Sequence, residues 1–304
     1  YKGKEMTLSF DGKVVAVNGA GNGVGRAHAL EFARRGAKVV VNDLGGAPDG
    51  SGADNSAATK VVNEIKAMGG EAVANFASVA TQEGGASITQ SALENFGRID
   101  VMVANAGILR DKSFLKTDIE SVDLLLDVHL RGTFFCCQPA FAWMKENGGG
   151  RIIVTTSSSG LFGNFGQANY AMAKMGIVGL MRVMSIEGAK NNIMANAIAP
   201  MAATRLTAGE DKEDDPMAPS KVSPLVVALC HESSKVTGET FMAGWGIFAR
   251  TWIAQADGWR YGDKNVSAED VMSHMDKIRD TSHLSELANS LETGTWAMGL
   301  PITD

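Results

Sequence analysis

The chain has little of what marks secreted, metal-binding or nucleic-acid-binding proteins. Three of its 304 residues are cysteines, Cys136, Cys137 and Cys230. Their spacing matches no metal-ligand pattern, so we expect no metal site, and an odd number with an adjacent pair favours buried, reduced thiols. Lysine and arginine (28) are fewer than aspartate and glutamate (34), which gives a net charge of −6. This balance leaves no basic surface for nucleic acid.

Long hydrophobic runs are also absent. No stretch reaches the roughly 20 apolar residues that a membrane-spanning helix needs, and residues 1–7 lack the apolar core of a secretory signal. We therefore expect a cytoplasmic protein without a membrane span. What the chain does have is 45% hydrophobic residues and 35 glycines, a composition typical of an α/β protein with many tight turns.

A glycine-rich loop follows the first apolar run. Residues 13–17 predict a strand, residues 18–25 (Asn-Gly-Ala-Gly-Asn-Gly-Val-Gly) a loop, and the residues up to Gly36 a helix. Backbone amides and a helix N-terminus arranged in this way bind a pyrophosphate. The alternative is a tight turn without a ligand. Residues predicted to bind the dinucleotide here are Gly19, Asn22, Gly23, Val24 and Gly25.

An aspartate closes the second predicted strand, residues 37–41. The carboxylate of Asp43 can accept both hydroxyls of an adenine ribose and would repel a 2′-phosphate, so we predict NAD rather than NADP. Aspartate is also common in turns, and Asp43 precedes two glycines in the polar loop 44–55. Arg26 is the residue that argues for NADP.

Further along the chain, other predicted strand ends carry small or polar residues. Strands are predicted at residues 71–77 and 99–103, and a turn after each would lie near the dinucleotide. The alternative is an ordinary strand-end turn. Additional predicted dinucleotide contacts are Ser78, Val79, Asn105, Ala106, Gly107 and Pro200.

The chain is organised around residues 167–174 (Gln-Ala-Asn-Tyr-Ala-Met-Ala-Lys). On a helix, Tyr170 and Lys174 lie on one face, about one turn apart. A tyrosine with its usual pKa of about 10 needs roughly 4 kcal/mol of phenolate stabilisation to act as a base near pH 7. The Lys174 ammonium and a cofactor cation are the expected source. Ser157, at a predicted strand end, lies thirteen residues upstream; without it, a chance pairing of tyrosine and lysine is the alternative.

Strands alternate with helices over the rest of the chain. We predict a Rossmann-type α/β fold, with a doubly wound parallel sheet in one domain, residues 8–246. Residues 247–304 form a C-terminal extension, which we expect to pack on the core or on a neighbouring subunit. Other predicted elements are helices at 57–68, 88–96, 118–147, 169–190 and 222–231, strands at 151–156 and 240–243, a short sixth strand before residues 196–200, and a mobile lid or disordered segment at 200–219.

These motifs together resemble the short-chain dehydrogenase/reductases over roughly residues 10–246. Longer strings resemble one branch of that family, the (3R)-hydroxyacyl-CoA dehydrogenase units of type 2 multifunctional enzymes. The strings are residues 41–46 (Val-Asn-Asp-Leu-Gly-Gly), 128–132 (Val-His-Leu-Arg-Gly), 163–170 (Gly-Asn-Phe-Gly-Gln-Ala-Asn-Tyr) and 229–233 (Leu-Cys-His-Glu-Ser).

The resemblance implies NAD-dependent oxidation of a β-hydroxyacyl-CoA, including bulky steroid side-chain thioesters. Alternatives are a free hydroxysteroid dehydrogenase of the 17β type and a dinucleotide-binding sensor without activity. By resemblance, Ser157, Tyr170 and Lys174 are catalytic and His129 relays protons. The resemblance also implies a homodimer or homotetramer that pairs the helices at 118–147 and 169–190.

Four positions depart from the wider family pattern. Asn18 stands where threonine is usual, Ala104 where asparagine is usual, and Ser78 where aspartate often contacts adenine. His129 replaces the asparagine that anchors a relay water. The branch resembled here also has histidine, so the geometry of the relay, rather than activity, is the open question. Phe162, Phe165, Met201, Leu206 and Trp245 are candidates for an apolar substrate cleft, or for ordinary packing.

Overall fold

The computed structural model of the protein describes residues 8–204, 215–262 and 265–299. These residues divide into two compact units, with the boundary between Arg250 and Thr251. None of the described helices is long and apolar enough to cross a membrane. Half of the predicted lid (residues 200–219), namely residues 205–214, lies outside the described residues.

The first unit is built on an eight-stranded sheet with the order β3-β2-β1-β4-β5-β6-β7-β8. Strands β1 to β7 pair in parallel throughout. Its strands are β1 Val14–Asn18, β2 Lys38–Asn42, β3 Ala72–Asn75, β4 Val101–Ala104, β5 Gly150–Thr155, β6 Ile193–Met201, β7 Thr240–Gly244 and β8 Ile247–Thr251. The order in which the strands were added to the sheet reverses between β1 and β4. In sheets of this kind, ligands bind at such a reversal point, at the carboxyl ends of the strands.

Helices cover both faces of this sheet, which confirms the predicted doubly wound fold. Its α-helices are α1 Gly23–Arg34, α2 Ser56–Ala67, α3 Gln82–Phe96, α4 Ile119–Leu125, α5 Gly132–Glu146, α6 Ser158–Phe162, α7 Ala168–Gly188 and α8 Ser223–Cys230. Helices α1, α2 and α8 pack into one core cluster, and α3, α5 and α7 into a second.

Strand β1 shows why both faces must be covered. Val15 and Val17 belong to the first core cluster, while Val14 and Ala16 belong to the second. Side chains alternate between the faces of a strand. A strand that is apolar at every position therefore needs helices on both sides of the sheet.

Three predicted boundaries differ from the structure. The helix predicted at residues 118–147 is interrupted by a π-helical segment, Leu126–Arg131, between α4 and α5. Residues 196–200 lie inside β6 rather than after it. Helix α3 begins at Gln82, because the Thr81 side chain accepts a hydrogen bond from the Gly84 amide and caps the helix six residues before the predicted start.

The second unit, from Thr251, is a small assembly of short elements. It contains an antiparallel pair of strands, Gln255–Ala256 and Leu284–Ser285, and three short helices, Ala268–Ser273, Met275–Ile278 and Glu292–Ala297. Within it, the rings of Trp259 and His274 stack with centroids 3.9 Å apart. Trp259 thus contributes to local packing in this unit. That the C-terminal extension, residues 247–304, packs on the core or on a neighbouring subunit stays a prediction.

Candidate active site

A cavity of about 610 Å³ lies at the carboxyl edge of the sheet, in the first unit. It brings together all but one of the residues predicted to bind the dinucleotide or to act in catalysis. Predicted residues that line it are Gly19, Asn22, Gly23, Val24, Asp43, Ser78, Val79, Asn105, Ala106, Gly107, His129, Ser157, Tyr170, Lys174 and Pro200. Gly25 does not line the cavity; a Cβ at Gly25 would meet the Gly19 carbonyl oxygen at 2.1 Å, so Gly25 permits close packing beneath the loop.

The glycine loop presents backbone rather than side chains to the cavity. Gly19 and Gly23 have φ values of +61° and +53°, in the left-handed region that favours glycine. Helix α1 follows with no side chain capping its N-terminus and no acidic residue in its first turn. The first amides of α1 and its positive dipole end are therefore available to an anion, and this fits a dinucleotide pyrophosphate.

Asn18 connects the glycine loop to the turn after β4. Its side-chain oxygen accepts hydrogen bonds from the backbone amides of Asn105 and Ala106, both at 2.6 Å, and its amide group donates to Cys136 Sγ at 3.2 Å. The departure from threonine thus leaves a residue that can hold this turn. A Cβ at Gly19 would lie 2.7 Å from Ala106 Cα, so the two turns approach as closely as a glycine allows.

Asp43 is almost fully buried at the end of β2. Its two carboxylate oxygens accept hydrogen bonds from the backbone amides of Gly21 and Gly45, both at 2.7 Å. Each oxygen retains a lone pair for a further donor, such as a ribose hydroxyl. Arg26 does not line the cavity, and its guanidinium pairs with Glu64 of α2. Among the described residues that line the cavity, Lys174 is the sole lysine or arginine.

Tyr170 lies in the first turn of α7 and faces the strand end that carries Ser157. Burial raises the pKa of Tyr170; a hydrogen bond from the Ser157 side chain opposes this rise, and the charge of Asp111 adds to it. Ser157 is held at the start of α6, where its hydroxyl accepts a hydrogen bond from the Ser159 amide at 3.2 Å. The phenol and the serine hydroxyl therefore form one unit on the cavity wall.

Lys174 lies one turn further along α7, fully surrounded by protein. Its Nζ donates a hydrogen bond to the Thr155 carbonyl oxygen at 2.7 Å and lies 5.5 Å from the centre of the Tyr170 ring. Burial lowers the pKa of Lys174 to about 7. Thr156 supports the helix from the same strand end, since its hydroxyl donates to the Lys174 carbonyl at 2.7 Å.

The direction of the Tyr170 shift differs from the sequence-based prediction. We expected Lys174 and a cofactor cation together to lower the pKa of Tyr170; the protein groups alone raise it, because desolvation of the phenol is the largest effect. Burial likewise makes Lys174 a weaker base than usual. The spacing of the two residues predicted their proximity correctly, whereas the cost of removing both groups from water depends on packing around them.

His129 is buried in the π-helical segment, against the face of the site. Its ring meets that of Tyr170 edge to face, with centroids 5.2 Å apart. Its Nε2 lies 2.8 Å from the Ile108 carbonyl oxygen and 3.1 Å from the Ile108 amide. The shorter contact favours Nε2–H as donor to the carbonyl, which leaves Nδ1 as an acceptor with no partner among the described residues. Desolvation lowers the pKa of His129 well below its usual value.

A glycine makes room for this histidine. A Cβ at Gly107 would lie 2.5 Å from His129 Cε1, so the glycine after β4 lets the imidazole approach. His129 lies in the π-helical segment Leu126–Arg131, between α4 and α5. Single π-helical turns within α-helices are frequent at functional sites. Neither feature is visible in the helical periodicity of the sequence.

A polar network that sequence reasoning missed borders the catalytic side. Gln167 accepts a hydrogen bond from Asn164 Nδ2 at 3.0 Å and donates from Nε2 to Asp111 at 2.9 Å. Gln167 and Asn164 both line the cavity. The position of glutamine three residues before Tyr170 was the available signal, but Asp111 is brought near by the loop after β4.

The structure places some of the candidates for an apolar cleft on the cavity wall and others away from it. Met201 and Trp245 line the cavity. Phe162 and Phe165 are not among its lining residues and are 68% and 90% exposed, which supports neither the cleft nor ordinary packing for these two side chains. Leu206 lies outside the described residues.

Comparison with known proteins identifies the family. Residues 13–215 match the family described as short chain dehydrogenase. The chain belongs to this family. Short-chain dehydrogenases are oxidoreductases that use NAD or NADP, which agrees with the glycine loop, the tyrosine and lysine of α7, and the doubly wound sheet seen here.

Individual relatives of this short-chain dehydrogenase differ in length. Peroxisomal multifunctional enzyme type 2 from Drosophila melanogaster is 45% identical over 294 residues, which cover 94% of this chain and 49% of the relative. The chain therefore spans about half the length of that relative. A solved short chain dehydrogenase from Mycobacterium avium has a TM-score of 0.80 and 42% identity, over 90% of this chain and 98% of the other.

A solved 7α-hydroxysteroid dehydrogenase, complexed with NADH and 7-oxo glycochenodeoxycholic acid, is also similar. Its TM-score is 0.70 and its identity 28%, over 79% of this chain and 96% of the other.

Proposed function

We propose that the protein oxidises a (3R)-β-hydroxyacyl-CoA to the 3-oxoacyl-CoA with NAD. One observation carries this proposal: the four predicted catalytic residues line the same cavity as the glycine loop. They are Ser157, Tyr170, Lys174 and His129. The named relative from Drosophila and the resemblance of residues 163–170 to hydroxyacyl-CoA dehydrogenases support the substrate class.

The residues divide the chemistry between them. The substrate hydroxyl gives its proton to the Tyr170 oxygen. At the same time, the hydrogen on the carbon that bears this hydroxyl leaves with its bonding electron pair, as a hydride. NAD supplies, when bound, the acceptor for this hydride. Ser157 donates a hydrogen bond to the substrate oxygen, which holds it beside the phenol. Lys174 and His129 carry the proton away from Tyr170 towards solvent. His129 Nδ1, which has no hydrogen-bond partner in the described part of the chain, is an acceptor available for a bridging water.

The raised pKa of Tyr170 sets the pH dependence of the two directions. Oxidation needs the phenolate, so its rate should rise with pH up to the pKa of Tyr170. Reduction of the 3-oxo compound needs the neutral phenol and should fall above the same pKa.

The preference for NAD rests on charge at the adenosine end. Asp43 presents a carboxylate there, and Lys174, the one cation among the described lining residues, lies at the catalytic end. A 2′-phosphate would thus meet negative charge without a compensating lysine or arginine. Pairing of Arg26 with Glu64 weakens the argument for NADP.

A free hydroxysteroid is the second candidate substrate. It is favoured by the similarity to a hydroxysteroid dehydrogenase and by Met201 and Trp245, two large apolar side chains that line the cavity. A steroid side-chain CoA thioester would satisfy both candidates, because it combines a bulky ring system with a β-hydroxyacyl group.

A substrate panel tests the proposal. The protein is given NAD or NADP with (3R)- and (3S)-hydroxyacyl-CoA of short and long chain, a steroid side-chain thioester and free hydroxysteroids, and absorbance of the reduced dinucleotide is followed. We expect oxidation of (3R)-thioesters with NAD. Turnover confined to free steroids would replace the hydroxyacyl proposal, and no turnover of any member by a protein that binds NADH would favour a sensor.

A homodimer or homotetramer is part of the same proposal. Helix α7 exposes Met172, Met175, Val183 and Ile186, apolar side chains that a second copy would remove from water. Sedimentation at several concentrations measures the assembly; a monomer at all of them would contradict this. A cytoplasmic location also stays a prediction, which fractionation of cells that express the chain would test.

A further inference from the structure

The loop between β2 and α2, residues 44–55, has an internal structure of its own. At its base, the Asp54 amide donates to the Leu44 carbonyl at 2.9 Å. Nearer its tip, the Ala47 amide donates to the Ser51 carbonyl at 2.7 Å, and Ser51 donates from both its amide and its hydroxyl to Asp49 Oδ1. Closed ends and internal bonds of this kind characterise a compact Ω-loop rather than a free linker.

The tip of this loop is attached to the chain that follows β4. The Leu109 amide donates to the Pro48 carbonyl at 2.9 Å, and Arg110 Nε donates to the Asp49 carbonyl at 2.9 Å. Gly50, with φ of +88°, lies against Ile108, where a Cβ would come within 2.9 Å of Ile108 Cδ1. Three consecutive residues of the loop thus contact three consecutive residues of the neighbouring segment.

Both partners of this contact belong to the dinucleotide cavity. Gly46, Ala47, Pro48 and Gly50 line it from the loop, while Ile108 and Leu109 line it from the segment after β4. At the base of the loop, Asp43 Oδ1 accepts a hydrogen bond from the Gly45 amide. The base of the loop is therefore held by Asp43, the predicted ribose-binding carboxylate, and its tip is held by Arg110.

We propose that Arg110 is a positioning residue for the dinucleotide, which fixes loop 44–55 as a preformed wall of the cavity. Without the hydrogen bond from Arg110 to Asp49, one hydrogen bond, from the Leu109 amide to the Pro48 carbonyl, would still attach the tip. Binding of the dinucleotide would then include the entropic cost of ordering the loop. Arg110 itself is not among the described residues that line the cavity. The inference rests on the proposed function only in requiring a bound dinucleotide, and not in the identity of the alcohol.

Two variants of Arg110 and one control test this role. Arg110→Ala removes the donor, and Arg110→Lys retains a positive charge and a donor. Arg34→Ala removes a surface arginine of α1 whose side chain is 53% exposed and pairs with Glu31 at 3.6 Å. Fluorescence titration gives the Kd for NADH, and hydrogen exchange measured on peptides covering 44–55 and 108–112 reports the attachment of the loop.

For Arg110→Ala we expect the Kd for NADH to rise about fivefold to tenfold, the factor that follows from the loss of one hydrogen bond. Exchange should accelerate at Ala47, Gly50 and Leu109, whose amides donate within the loop and its contact. Arg110→Lys should restore part of the affinity and of the protection. Arg34→Ala should leave both readouts unchanged.

Two results would overturn the proposal. Unchanged NADH affinity despite faster exchange would show that the wall does not need to be fixed. Weaker affinity with unchanged exchange would show that Arg110 contacts the ligand directly. If the unmodified protein bound neither NADH nor NADPH, the proposed function would fail instead; unchanged thermal unfolding of Arg110→Ala excludes general misfolding as the cause of a weaker Kd.

Discussion

The two ends of the cavity present different kinds of chemical group to a ligand. At the dinucleotide end, between β1 and β4, backbone amides, positive-φ glycines and one carboxylate face the ligand. At the catalytic end, beside β5 and α7, the cavity is lined by ionisable side chains whose pKa values are shifted by burial. The first end is defined by the path of the chain, and the second by the removal of charged groups from water.

This difference determines how each end should respond to substitution. Changes at the dinucleotide end should alter affinity, because they disturb a preformed surface. At the catalytic end they should alter rate, pH dependence and stability, because desolvation links these three quantities through the pKa. Four substitutions test this separation, beginning with the largest expected effect.

Tyr170→Phe should lower kcat by about 10²- to 10⁴-fold, the usual contribution of a general acid or base. The Kd for NADH should change less than about twofold, because the glycine loop and Asp43, rather than the phenol, form the predicted dinucleotide end of the cavity. Stopped-flow kinetics and fluorescence titration measure the two. Tyr261→Phe, an exposed tyrosine of the second unit, is the matched control. Retained turnover in Tyr170→Phe would remove the phenol from the mechanism.

Asp43→Asn should act in the opposite way, on affinity rather than rate. A hydrogen bond to a charged group contributes about 1.5–3 kcal/mol, so the Kd for NAD should rise about tenfold to a hundredfold. The Kd for NADP should fall, because the repulsive charge is gone. Saturated kcat with NAD should stay near that of the unmodified protein. Equal losses for both dinucleotides would show that Asp43 serves only to hold Gly21 and Gly45.

His129→Ala should lower kcat by about tenfold and change the shape of its pH profile, because it removes the acceptor beside Lys174. Since the pKa of His129 lies well below its usual value, its own protonation should not produce a step in the unmodified profile near the ordinary histidine pKa of about 6.5. Profiles of kcat for both proteins provide the measurement. A parallel profile with a uniformly lower rate would assign His129 to packing against Tyr170 alone.

Lys174→Met should reveal the cost of burying the amine. Because the pKa of Lys174 is about 7 in the folded protein and 10.5 ordinarily, the unfolded chain binds more protons between these values. Lys174 should therefore make a contribution to the unfolding free energy that rises with pH across that window, by up to about 1.4 kcal/mol per pH unit. The slope should be smaller in Lys174→Met, as followed by urea unfolding. Identical slopes would mean that Lys174 stays charged in the fold.

Much of the fold could be predicted because the signals are local. Apolar runs such as Val14–Asn18 gave strands within one or two residues, and alternation with helices gave the parallel sheet. Boundaries failed where a tertiary or capping contact decides them. Thr81 extends α3 backwards, and the π-helical turn at Leu126–Arg131 is compatible with the same helical periodicity that predicted one uninterrupted helix.

For the site, the sequence by itself determined which groups can meet: spacing of four residues places Lys174 beside Tyr170, and a strand followed by glycines places a helix N-terminus at the sheet edge. Tertiary structure alone decided their properties. Burial raises the pKa of Tyr170, Ile108 fixes the ring of His129, and Arg110 attaches loop 44–55 across more than fifty residues of chain. Spacing follows from backbone geometry, whereas desolvation and long-range contacts depend on everything packed around a group.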